Sequence, residues 1–200
     1  MRLRRALYLL VLAAGHLFGA ATTDLVVQSG HGSIKSVAYS HDGRLIVTGG
    51  AHIAILWDAA TGSELRVFSG HTGDVISAVF STSGSLVLTA SNDGTARIWE
   101  TATGREVRRI PPPRAEIAIK GEVVHSFLGV RSAAFSTDDR HIFTGGVDGR
   151  VREWNAASGI LEREFSTVRG NVLAISNTCV APSPEGRLLL TGVMNGNVEL

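Results

Sequence analysis

Four stretches of this 200-residue chain repeat one another in phase. Residues Val37 to Gly49 (VAYSHDGRLIVTG) align with Ala78 to Ala90 (AVFSTSGSLVLTA) and with Ala133 to Gly145 (AAFSTDDRHIFTG). A weaker copy, VAPSPEGRLLLTG, runs from Val180 to Gly192. Self-similarity at a period of about 40 residues means one small supersecondary unit used several times, each burying its apolar face against the next.

Each copy reads as an antiparallel sheet. In the second, an apolar-rich segment ends at Ser81-Thr82-Ser83-Gly84, a turn that needs polar or positive-φ residues. An apolar run, Leu86-Val87-Leu88, leads to Asn92-Asp93-Gly94, a hairpin signal. Next comes the alternating strand Thr95-Ala96-Arg97-Ile98-Trp99, a turn over Thr101 to Gly104, and a charged outer strand, Arg105 to Ile110. The third strand is the most apolar and ends in a large aromatic, so it should face neighbouring units. Four strands per copy, with no long helical periodicity, predict an all-β protein.

Composition narrows the function classes. Apolar residues make up 44 %, with 23 glycines and only 5 prolines, which is globular and not disordered composition. Net charge is +1, but Arg2, Arg4 and Arg5 lie in the first five residues; without them the 19 basic residues fall to 16, against 18 acidic ones. No basic run remains to form a nucleic-acid surface. Cys179 is the only cysteine, which excludes an intramolecular disulfide and any multi-cysteine metal site. The seven histidines show no helical metal-ligand spacing. No metal and no cofactor are expected.

Gly30-His31 and Gly70-His71 open the first two repeats, and Trp57-Asp58, Trp99-Glu100 and Trp154-Asn155 end three of the third strands. With these signatures the chain resembles the WD40-repeat family from about Asp24 to Leu200. The resemblance implies a WD40-type β-propeller over residues 22–200, with repeats at about 30–68, 70–110, 125–165 and 170–200. It also implies a hydrogen-bonded chain within each blade, from Trp through a Ser/Thr to a His and a turn Asp. Repeat two matches fully with Trp99, Thr89, His71 and Asp93. Repeat one has His31, Thr48 and Trp57 but places His52 where the turn Asp belongs, in a hairpin one residue shorter. Repeat three keeps Thr144, Asp148 and Trp154, with Ser126 (beside His125) in place of the His; repeat four keeps Thr191 but has Asn195 for Asp. A His-Asp pair beside a hydroxyl also suits catalysis. Its spacing is explained by blade structure, which favours a structural network, and no catalytic residue is assigned.

Trp follows the turn Asp by six positions in repeats two and three, and Asn195 plus six falls at position 201. The expectation is therefore an incomplete propeller: three full four-stranded blades, part of a fourth, and a loose strand at Asp24 to Gln28. Closed propellers use 4–8 blades. A fragment of a longer chain, or copies that associate to complete a ring, would account for this.

By resemblance, partners dock on the face bearing the turn acids. Candidates are Ala51, Asn92, Val147 and Met194, just before the turn position, with Gly73 and Asp74 beside them. The Trp99–Trp154 spacing is 55 against 42 for Trp57–Trp99, which predicts an insertion loop over 111–124. Three prolines stiffen its start, and Arg114 and Glu116 are further contact candidates. The leading function is a protein–protein interaction scaffold with protein partners. The alternatives are a sensor or regulatory module of a longer signalling protein and an extracytoplasmic propeller hydrolase; no set of channel carboxylates or histidines supports the last. Residues 1–21 place a basic start before an apolar stretch and Gly19-Ala20-Ala21, the pattern of a secretory signal or an uncleaved membrane anchor. That predicts a secreted or periplasmic protein, with membrane-anchored and cytoplasmic locations as alternatives.

Overall fold

The computed structural model describes residues 32–111, 114–119, 122–127, 129–166, 179–192 and 198–199. Three four-stranded antiparallel sheets, each in simple sequential order, form successive blades. Blade one comprises β1 (Ser36–Tyr39), β2 (Leu45–Gly49), β3 (Ile53–Asp58) and β4 (Glu64–Ser69). Blade two comprises β5 (Val75–Phe80), β6 (Leu86–Ser91), β7 (Ala96–Glu100) and β8 (Glu106–Ile110). A two-stranded sheet, β9 (Arg114–Ile119) with β10 (Glu122–Phe127), precedes blade three: β11 (Val130–Phe135), β12 (His141–Gly146), β13 (Arg150–Asn155) and β14 (Leu161–Ser166). A three-stranded sheet follows, β15 (Cys179–Pro182), β16 (Leu189–Gly192) and β17 (Val198–Glu199). Among the described residues no helix is long and apolar enough to cross a membrane.

The innermost strands β1, β5, β11 and β15 lie side by side, so the sheets stack face to face around one axis as propeller blades do. Two apolar layers hold them. Val47, Leu56 and Phe68 of blade one close on Val75, Val87 and Trp99 of blade two. Leu88, Ile98 and Ile110 close on Val130, Ile142 and Trp154 of blade three. Because strand side chains alternate, Trp99 and Trp154 each point back toward the preceding blade, whereas Leu56 and Ile98, beside Trp57 and Trp99, point forward. Trp99 meets the Phe68 ring of blade one at a centroid distance of 5.7 Å.

Polar links tie the same layers. The Ser36 hydroxyl accepts the Ala78 amide (3.0 Å), and Ser132 accepts that of Val180 (3.2 Å) at the equivalent place two blades on. Asp139 occupies a turn position held elsewhere by Gly43, Gly84 and Gly186, with φ of 58°. Its carboxylate accepts the Thr82 and Ser83 amides of blade two at 2.7 and 3.0 Å, which offsets the left-handed backbone that a non-glycine residue disfavours.

Two sequence expectations need correction. The segment read as an insertion loop, 111–124, is largely paired strand: β9 pairs β10 antiparallel from Glu122 opposite Ile119 to Phe127 opposite Arg114. The alternating pattern on both sides of Lys120-Gly121 suits two strands, and residues 114–119 and 122–127 pair along their shared edge. Ser126 lies within β10 opposite Ala115, so the segment ahead of blade three is drawn into this strand pair. Second, His52 does not occupy the turn-acid position. It has φ of 63° and, five residues before Trp57, takes the left-handed place of Gly94 (86°) and Gly149 (69°), each five before its own Trp. The shorter blade-one turn, closed by the Gly50 amide on the Ile53 carbonyl, has no acid slot.

Candidate functional site

Blade two carries the complete network. The Trp99 indole N–H donates to Thr89 Oγ1 (2.8 Å), Thr89 lies 2.8 Å from His71 Nε2, and His71 Nδ1 lies 2.8 Å from Asp93 Oδ2. A carboxylate only accepts, so Nδ1 carries the imidazole proton and Nε2 accepts the Thr89 hydroxyl. Each buried group thereby has a partner. Burial pushes the His71 imidazole below its ordinary value, against the opposing pull of Asp93. Burial raises the Asp93 carboxyl, but the Thr95 hydroxyl and amide, His71 and the Thr72 amide together hold it down to about 2. A neutral histidine thus faces a charged aspartate.

This arrangement is suited to holding a blade, not to attacking a substrate. Thr89 is fully buried and its hydroxyl is engaged on both sides. The Thr–Trp pair recurs as Trp57 to Thr48 and Trp154 to Thr144, both at 2.9 Å.

Sequence reasoning missed the arginines at the next level. Arg97, buried although charged, donates to Glu106 at 2.8 Å and lies 3.8 Å from Asp93. In blade three, Arg152 stands in the same place, four residues after its turn acid. It reaches Asp148 Oδ2 at 2.5 Å and Glu164 at 2.7 Å. Asp148 is therefore held by arginine. The signal was present in the sequence as Asp-x-x-x-Arg in both repeats, but only folding shows that it closes on the turn acid. Gly70, with φ of 144°, lets the chain pass where an added Cβ would lie 2.5 Å from Arg97 Nη1.

Among the contact candidates, Asn92 is exposed and Asp74 half-buried, and the Asn92 amide donates to the Asp74 carbonyl at 3.0 Å. Half-buried Val147 repeats this with Gly129 at 3.2 Å. The two pairs share one face, with Gly129 packed against Asn92. Ala51 is half-buried in the blade-one turn. Arg114 and Glu116 lie on β9, opposite Phe127 and His125. The hairpin leaves blade two after Ile110, which pairs with Ala96, and enters blade three at Val130, opposite Gly146. Both ends therefore lie on the turn-acid side. His31 and Met194, and the 1–21 segment, fall outside the described residues.

The family profile described as "WD domain, G-beta repeat" matches residues 23–58, 62–100 and 121–155. This chain belongs to the WD40 family. Similar proteins include the "Guanine nucleotide-binding protein subunit beta" of Solanum tuberosum, 32 % identical over 182 residues, covering 84 % of this chain and 44 % of that protein. The subunit of the same name from Nicotiana tabacum is 31 % identical over 177 residues, with 86 % and 45 % covered. That of Oryza sativa subsp. japonica is 29 % identical over 186 residues, with 86 % and 45 % covered. The WD40 chain thus spans less than half the length of these relatives.

Proposed function

We propose that this WD40 protein is a non-catalytic scaffold that docks other proteins on its turn-acid face. The observation that carries this is a division of labour. The titratable groups of the blade-two network are turned inward and mutually satisfied, whereas Thr72 and Asn92 stand exposed beside them with Asp74 partly accessible. Likeness to proteins named as subunits of a guanine nucleotide-binding assembly supports a role exerted through other polypeptides. The β9–β10 hairpin, rooted on the same side, widens that face.

A second reading, association of copies to extend the row of blades, is favoured by Val37 and Tyr39, exposed on β1, and by Leu190 on β16 with Leu188 just before it, both exposed. The basic and then apolar 1–21 segment supports export. Cross-linking mass spectrometry on the full chain in its own host, with light scattering on the purified protein, tests both readings. Links from residues 72–74, 92 and 147 to another protein, lost in Asp74→Arg/Asn92→Arg, are expected. Links confined to the outer strands would refute the docking face. A monomeric mass would refute self-association.

A further inference from the structure

Three positions recur at one corner of each blade: the first residue of the second strand, the residue before Trp on the third, and the extra residue at the bulge of the fourth. In blade one they are Leu45, Leu56 and Leu65, and in blade two Leu86, Ile98 and Val107. The blade-one trio forms one wall of an apolar groove of about 590 Å³ against Leu86 and Ala102 of the next blade. In blade three the same three positions hold His141, Glu153 and Glu162. A corner that is apolar twice has become an imidazole and two carboxylates.

The pleat that brings three leucines together brings these groups together as well. One ligand-capable atom from each of the three lies within 4.8 Å of the others, with His141 Nε2 at 3.1 Å from Glu162. Asn155 Nδ2 donates to the other Glu162 oxygen at 3.1 Å. Arg163 Nε stands 3.7 Å from Glu153, but its side chain is 72 % exposed and free to swing into solvent. Among the described residues this is the one such cluster of three. Tetrahedral zinc with ligand bonds of about 2.0–2.1 Å spaces its ligands by about 3.4 Å. Rotamer changes in two long glutamates span the difference.

We infer that His141, Glu153 and Glu162 form a divalent-cation site, of the class that binds Zn²⁺ through one imidazole and two carboxylates and leaves a fourth position for water or an outside ligand. The three donors come from three adjacent strands of one rigid sheet, so the frame exists before the ion arrives. A bound cation would neutralise two carboxylates at a corner where the other blades use hydrocarbon.

The test is titration of the full chain with Zn²⁺ alone, followed by calorimetry and by the thermal midpoint. One ion per chain and a zinc-dependent rise in midpoint are expected. The triple variant His141→Leu/Glu153→Leu/Glu162→Leu restores the side chains of blade one and should fold without binding at this stoichiometry. Glu162→Gln keeps the volume and should weaken binding at least tenfold, which decides the matter if the triple variant does not fold. Absence of binding by the parent chain, or binding unchanged in Glu162→Gln, would overturn the assignment.

Discussion

Replacing Thr89 by valine removes one hydroxyl from the centre of blade two and almost no volume. Two buried partners are then orphaned: the Trp99 indole N–H and His71 Nε2, each now 2.8 Å from the Thr89 oxygen. Leaving a buried polar group unsatisfied costs about 1–3 kcal/mol, so two together cost about 2–6 kcal/mol. Thr89 has a weaker alternative acceptor in the Arg97 carbonyl at 3.4 Å, but that contact disappears with the same hydroxyl and rescues neither neighbour. Thr144→Val is the internal control. There the Trp154 indole loses its acceptor and the turn acid stays with Arg152, so about 1–3 kcal/mol is expected. Urea unfolding followed by tryptophan fluorescence and circular dichroism reads both variants. A larger loss for Thr89→Val at unchanged denaturant slope supports the network. Equal losses in the two blades would refute the view that His71 depends on Thr89.

The pH dependence of stability follows from the same residues. The folded His71 imidazole titrates below its ordinary value of 6.5, so the unfolded chain binds more protons as pH falls; stability should be full above about 6.5 and decline below it, and His71→Gln should flatten that limb of the pH–stability curve. Asp93 is held at about 2 against 3.8, so its contribution should be present above 3.8 and lost between there and about 2, a loss that Asp93→Asn would remove from an acid titration of the midpoint. Gly49→Ala would place a Cβ 2.8 Å from Val75 Cγ1 and 3.3 Å from the Val75 carbonyl in the layer between blades one and two, and should lower stability by about 1–3 kcal/mol in urea; an unchanged midpoint would show that β5 can shift freely.

Features made within a repeat were legible from the chain alone. Turn residues, strand alternation and the Thr–Trp spacing each depend on fewer than about a dozen consecutive residues, so the period wrote them out several times over. The number of strands per blade could be read without coordinates, and the resemblance to the WD40 family pointed to Thr48, Thr89 and Thr144 as partners of the three tryptophans. The 13 added residues were visible too, but prolines at their start masked the alternation that makes them a hairpin.

What the sequence could not decide was which groups meet across strands and blades. Asp139 capping Thr82 and Ser83, and Ser36 capping Ala78, join residues 42 to 57 apart, and nothing local marks either pair. The exchange of His71 for Arg152 as the group on the turn acid, and the gathering of His141, Glu153 and Glu162 at one blade corner, likewise arise only when strand register sets the neighbours. Periodicity dictated the blades because a strand's own residues determine its pleat and turns. The side-chain chemistry between strands belongs to the tertiary structure, because the distances that create it exist only once the sheets are paired and stacked.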